Sequence, residues 1–145
     1  MPRPTRPTPV AQAVATLNDP AANLPAYGAV THEGDTAFGP LHTVSRFRLA
    51  NGLTILTMVD SSAPVFSYQT WFAVGSRHEK PGKTGLAHLF EHLMFNETEN
   101  LPAGTFDKRL EESGAESNAA TWVDWTFYYE NLPKDRLALA TEHRR

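Results

Sequence analysis

The dipeptide Asn51-Gly52 is the feature that most constrains how this chain can fold. It separates two strand-like runs, 44–49 and 53–59. Asn-Gly supplies the positive φ angles of a type I′ turn, so the two runs are expected to form an antiparallel hairpin. A third strand is expected over 65–74, where Phe66, Tyr68, Thr70, Trp71 and Phe72 supply aromatic and β-branched side chains. Residues 75–85 read as a polar loop, after which Thr84 or Gly85 can cap a helix running to about Phe95. A second helix is expected over 102–114, with Gly114 as its stop. The runs 116–123 and 125–132 read as another antiparallel strand pair, with Trp122, Trp125, Phe127 and Tyr129 as core packing. Pro133 fits the first turn of a last helix continuing over 136–145. Strand pairs with helices between them predict an α+β domain: an antiparallel or mixed sheet with helices packed on one face.

Residues 1–43 have a different character. Pro2, Pro4, Pro7 and Pro9 alternate with Arg and Thr, and Pro20, Pro25 and Pro40 follow. This segment is expected to be a Pro-rich, loosely ordered N-terminal arm. Arg3 and Arg6 ahead of residues 10–17 are a weak match to a secretion leader, because Gln12 and Thr16 interrupt the short apolar run. The compartment therefore stays open between cytoplasmic and periplasmic or secreted, for a chain expected to be soluble.

Composition narrows the chemistry. With 41% hydrophobic and 20% charged residues in a chain of 145, most of the sequence is globular in character. No run of about 18 apolar residues is present, so no membrane-spanning helix is expected. A net charge of -3 gives no reason to expect nucleic acid as a partner. Cysteine is absent, so a metal must be held by His, Asp or Glu.

Such residues cluster in Gly85-Leu86-Ala87-His88-Leu89-Phe90-Glu91-His92-Leu93-Met94-Phe95. On a helix, Leu86, Leu89, Phe90 and Leu93 form one apolar stripe that can dock on a sheet. His88, Glu91 and His92 gather on the roughly opposite side. Two imidazoles one turn apart can aim ring nitrogens at a single zinc ion. Zinc lowers the pKa of a bound water to near 7, and Glu91, adjacent to His92, is placed to take that water's proton. Gly82-Lys83-Thr84 also follows a strand and opens a helix, as a phosphate-binding loop does. The glycine that such a loop needs earlier is replaced by Arg77.

The stretch from Val74-Gly75-Ser76-Arg77 through His88-Leu89-Phe90-Glu91-His92 to Phe95 resembles the active-site region of the pitrilysin/insulinase family. These are zinc peptidases with an inverted H-x-x-E-H motif. The hairpin around Asn51-Gly52 and the segment carrying Asn118, Ala119, Thr121, Asp124, Thr126 and Tyr128 extend the likeness over residues 44–145. The resemblance implies that 44–145 is the N-terminal part of a peptidase domain of this type. It implies zinc as cofactor, His88 and His92 as its ligands, Glu91 as general base, and zinc-activated water as the species that hydrolyses the peptide bond. It further implies that a peptide or small-protein substrate is added as an extended strand at the edge near Asn118 and Ala119. Main-chain hydrogen bonds would hold such a substrate largely regardless of its sequence. Without the resemblance, Asn118 reads as a turn or capping residue, His78 and Glu79 as loop surface, and Glu116 as a solvated charge.

The family also has a third zinc ligand, a Glu on a later helix, and a homologous second domain that closes over the substrate. No residue here matches that Glu, and Glu142 and His143 come too early to be equated with it. The expectation is therefore an N-terminal segment of a zinc endopeptidase that is inactive alone, completed by a homologous partner domain or subunit. The competing expectation is a non-catalytic structural or partner subunit of the same family.

Overall fold

The computed structural model describes residues 8–20, 28–99 and 102–142. The chain forms two compact units, Met1–Ser62 and Ala63–Arg145. No helix among the described residues is long and apolar enough to cross a membrane.

The first unit begins with helix α1, Pro9–Leu17. Thr8 starts it by accepting the Ala11 N–H on its hydroxyl at 3.2 Å, and proline fills the first turn, where no N–H partner is needed. Strands β1 (Val30–Phe38), β2 (His42–Leu49) and β3 (Thr54–Met58) follow as an antiparallel meander. The β2–β3 hairpin forms where Asn51-Gly52 places it, but through a longer turn. Leu49 N–H donates to Leu53 C=O and Gly52 N–H to Leu49 C=O, both at 2.9 Å. The connection is thus the three residues Ala50-Asn51-Gly52, with Gly52 at φ +91° in the left-handed region that suits glycine.

The expected loose arm over 1–43 does not describe residues 30–38, which pair with β2 along their whole length. The strand is hard to see in sequence because Gly34 sits at a register shift and polar residues occupy most of it. Beside that shift, Glu33 accepts from Arg46 Nε and Arg48 Nε, each at 2.6 Å. Residues 1–7 and 21–27 of the expected arm lie outside the described residues.

The second unit carries the H-x-x-E-H segment. Its sheet has strands β4 (Val65–Phe72), β5 (Glu116–Thr121) and β6 (Thr126–Pro133) in the order β4-β6-β5, all antiparallel. Helices α2 (Leu86–Leu93) and α3 (Thr105–Glu112) lie between β4 and β5, and α4 (Leu137–Glu142) follows β6. The architecture is α+β, as the alternation of strand pairs and helices predicts. Gly114, at φ +68°, ends α3 as expected. Pro133 closes β6 instead of opening a helix, and a short 3-10 turn, Lys134–Arg136, leads into α4.

Central strand β6 shows which face is covered. Thr126, Tyr128, Glu130 and Leu132 are buried, while the alternating Phe127, Tyr129 and Asn131 are half-exposed. Leu132, Leu110 of α3 and Ala140 of α4 form the core, with Phe66, Tyr68, Phe106, Ala115 and Leu139 packed around them. Burying a leucine such as Leu132 contributes about 1.5–3 kcal/mol. The aromatic residues expected in the core lie elsewhere: the two-residue period of β6 turns Phe127 and Tyr129 to the other face, and Trp122 and Trp125 fall in the β5–β6 turn. Phe127 stacks on Trp71 at 4.5 Å and on Tyr129 at 5.9 Å, Trp125 meets Phe127 edge-on at 5.4 Å, and Trp122 is exposed.

Candidate active site

The loop between β4 and α2 is anchored on the β5–β6 turn. Ser76 N–H donates to Trp122 C=O at 2.9 Å and Arg77 N–H to Val123 C=O at 3.0 Å. The Thr126 hydroxyl donates to Val74 C=O at 2.9 Å. This approach requires glycine at 75, where a Cβ would lie 2.3 Å from the Trp122 carbonyl oxygen. Lys83 N–H then reaches Lys80 C=O at 2.9 Å across Pro81-Gly82, with Gly82 at φ +83°. Gly82-Lys83-Thr84 therefore leaves a β-turn.

Gly85 is the N-cap of α2, at φ +90°, and has no side chain to cap with. Glu79 does so from the loop. Its carboxylate accepts the N–H of Gly85 and of Ala87, each at 2.8 Å. The Ala87 and Gly85 amides hold the Glu79 carboxyl below its usual range. Glu79, read from sequence as loop surface, thus fixes the start of the site helix. An acidic residue shortly ahead of a helix start is the sequence signal for this role.

On α2, His88 and His92 bring their Nε2 atoms to 3.1 Å, with ring centroids 4.7 Å apart. A tetrahedral zinc with Zn–N distances of about 2.0–2.1 Å would set its donor nitrogens about 3.3 Å apart. The two imidazoles therefore fit one ion. Among the described residues, no group of three or more His, Cys, Asp or Glu is placed to hold a metal, so a third protein donor is not among them.

The expected docking of α2 through its apolar stripe is not seen. Its buried residue is Glu91, whereas Leu86, Leu89, Phe90 and Leu93 are exposed. Of the three polar residues on this helix only Glu91 is buried, and it finds a donor on the sheet: the Thr121 hydroxyl donates to Glu91 Oε2, while His88 and His92 stay exposed. A buried carboxylate needs such a partner.

An open cleft of about 480 Å³ results, lined by Ser76, Glu79, Gly85, His88, Glu91 and the 120–123 segment. Asn118 and Ala119 lie just before that segment on β5, which pairs with β6 on one edge. Trp122 N–H bonds Trp125 C=O at 2.8 Å, so alternate residues from Trp122 backward point to β6 and Ala119 points outward. The outward Ala119 N–H is taken by Asn118 Oδ1 at 2.8 Å. The structure thus brings His88, Glu91 and His92 together and sets Asn118 and Ala119 on the adjoining edge strand, whose other side pairs with no strand among the described residues. Thr121 contacts Glu91 across 30 positions of sequence, a separation no local pattern signals.

Comparison with known proteins places the chain in a family. The family model for insulinase (peptidase family M16) matches residues 54–142. The zinc protease PqqE of Helicobacter pylori is 43% identical over 82 residues, covering 56% of this chain and 18% of that protein. Subunit 1 of the bovine mitochondrial cytochrome b-c1 complex is 35% identical over 92 residues, covering 60% of this chain and 19% of that subunit. The chain thus spans about a fifth of the length of these curated relatives. The crystal structure of pitrilysin shares the fold with a TM-score of 0.69 at 24% identity, over 81% of this chain and 13% of that one. By the match of more than half its length, including the whole H-x-x-E-H helix and the sheet beneath it, the chain belongs to the insulinase family of peptidases, M16.

Proposed function

We propose that this segment supplies the zinc-binding and proton-transfer half of a metallopeptidase site that hydrolyses peptide bonds. The observation that carries this reading is the placement of Glu91. It is the buried residue of α2, one position before His92, with one carboxylate oxygen held by Thr121 beside two converging imidazoles. His88 and His92 hold the ion. Zinc bound there supplies a Lewis acid that makes water available as a nucleophile near neutral pH. Glu91 accepts a proton from the attacking water. Once the water oxygen has bonded to the peptide carbonyl carbon and the C–N bond breaks, Glu91 returns that proton to the leaving amine. The substrate enters as an extended strand along the free edge at Asn118 and Ala119, where main-chain groups hold it. The Asn118 side chain must then release the Ala119 N–H to the peptide. Catalytic zinc ordinarily has three protein ligands, so activity requires a further donor from the full-length protein or a homologous partner.

The test is cleavage of an unstructured peptide by the zinc-loaded full-length protein. Glu91→Gln is expected to keep zinc and lose activity by about 100-fold or more. Activity near that of the unsubstituted protein would refute Glu91 as the base.

A second reading, a non-catalytic structural subunit, is favoured by the similarity to a subunit of the cytochrome b-c1 complex and by the exposed apolar face of α2. It predicts no zinc-dependent cleavage by the full-length protein and no effect of Glu91→Gln on assembly.

A further inference from the structure

We propose that Thr121 is the positioning residue for Glu91: its hydroxyl holds one carboxylate oxygen so that the other faces the cleft. The inference rests on the reading of Glu91 as general base and assigns what aims it. Thr121 ends β5 and pairs with Thr126 at the start of β6. The Thr126 hydroxyl has one proton, and Val74 C=O accepts it at 2.9 Å. The Thr121 oxygen lies 3.4 Å from that of Thr126, a poor hydrogen-bond distance. The Thr121 proton is thus left for its acceptor on α2, Glu91 Oε2. Thr121 is β-branched and sits on a paired strand, so its χ1 is restricted and its hydroxyl is held in one direction. Thr126 is buried, so the anchor behind Thr121 is rigid as well. A carboxylate on an eight-residue helix would otherwise choose its own rotamer. The contact ties the helix carrying both imidazoles to the strand that forms the free edge, and so sets the base against the place where a peptide would lie.

Two variants separate the hydroxyl from the shape. Thr121→Val keeps the branched form without the donor, and Thr121→Ser keeps the donor. In the zinc-loaded full-length protein, Thr121→Val is expected to lower kcat about 10- to 100-fold, the range for losing a hydrogen bond to a charged group, with KM unchanged. Thr121→Ser should recover most of that loss. An independent readout needs no turnover: the Glu91 side-chain carboxyl carbon resonance in the zinc-free protein. It should move in Thr121→Val and stay near its original position in Thr121→Ser. An unmoved resonance in Thr121→Val, or equal effects of both variants, would overturn the assignment of Thr121. Activity that survives Glu91→Gln would instead refute the base, and the resonance would still decide whether Thr121 aims the carboxylate.

Discussion

The carboxylate of Glu79 accepts the backbone N–H of Ala87 at 2.8 Å, one residue before His88. A loop residue thereby fixes the N-terminus of the helix that presents both imidazoles. The Ala87 and Gly85 amides hold its carboxyl below the ordinary value of 4.5. A depressed folded-state pKa contributes stability that is present above the unfolded value and lost as pH falls through the folded one. The difference in Tm between the original protein and Glu79→Gln should therefore be constant from neutral pH down to about pH 5 and shrink in more acid solution. Thermal unfolding followed across that range checks it. A difference that grows on acidification would contradict the cap.

Gly75 is expected to tolerate no side chain. A Cβ there meets the Trp122 and Val123 carbonyl oxygens at 2.3 and 2.6 Å, and backbone cannot move aside as a flexible side chain can. Gly75→Ala should cost about 1–3 kcal/mol, the usual range for overpacking, measured by urea unfolding. Gly85→Ala is the comparison. Its Cβ meets nothing within 4 Å, so only the left-handed backbone, at φ +90°, is penalised.

Arg77, in the loop after β4, and Asp124, in the β5–β6 turn, form an ion pair at 2.6 Å, with both side chains half-exposed or more. Exposed pairs contribute little, so Arg77→Ala should change stability by less than about 1 kcal/mol. The same urea titration measures it. A larger loss would mean that the pair, and not the backbone bonds from Ser76 and Arg77, holds the loop in place.

Some of this structure was legible in the sequence because it depends on local spacing. His88 and His92 share a helix face because they are four residues apart. The β2–β3 hairpin follows from a turn glycine flanked by strand-forming residues. Other features depend on what lies across the fold. An amphipathic pattern identifies the apolar face of α2 but not which face meets the sheet, and Glu91 meets it through Thr121. Strand β1 was hidden because most of its residues are polar and it contains Gly34, a residue that strands disfavour. The outward turn of Phe127 and Tyr129 follows from the register of β6, which aromatic content alone does not reveal.

X-ray absorption at the zinc edge, on the zinc-loaded full-length protein, tests the assignment of His88 and His92 as joint ligands most directly. The expected spectrum has imidazole nitrogens at about 2.0–2.1 Å, and His88→Ala and His92→Ala should each remove one of them or release the metal. Glu91→Gln should leave both in place. An unchanged spectrum in His88→Ala, or zinc bound without imidazole, would contradict a metal centre on this helix.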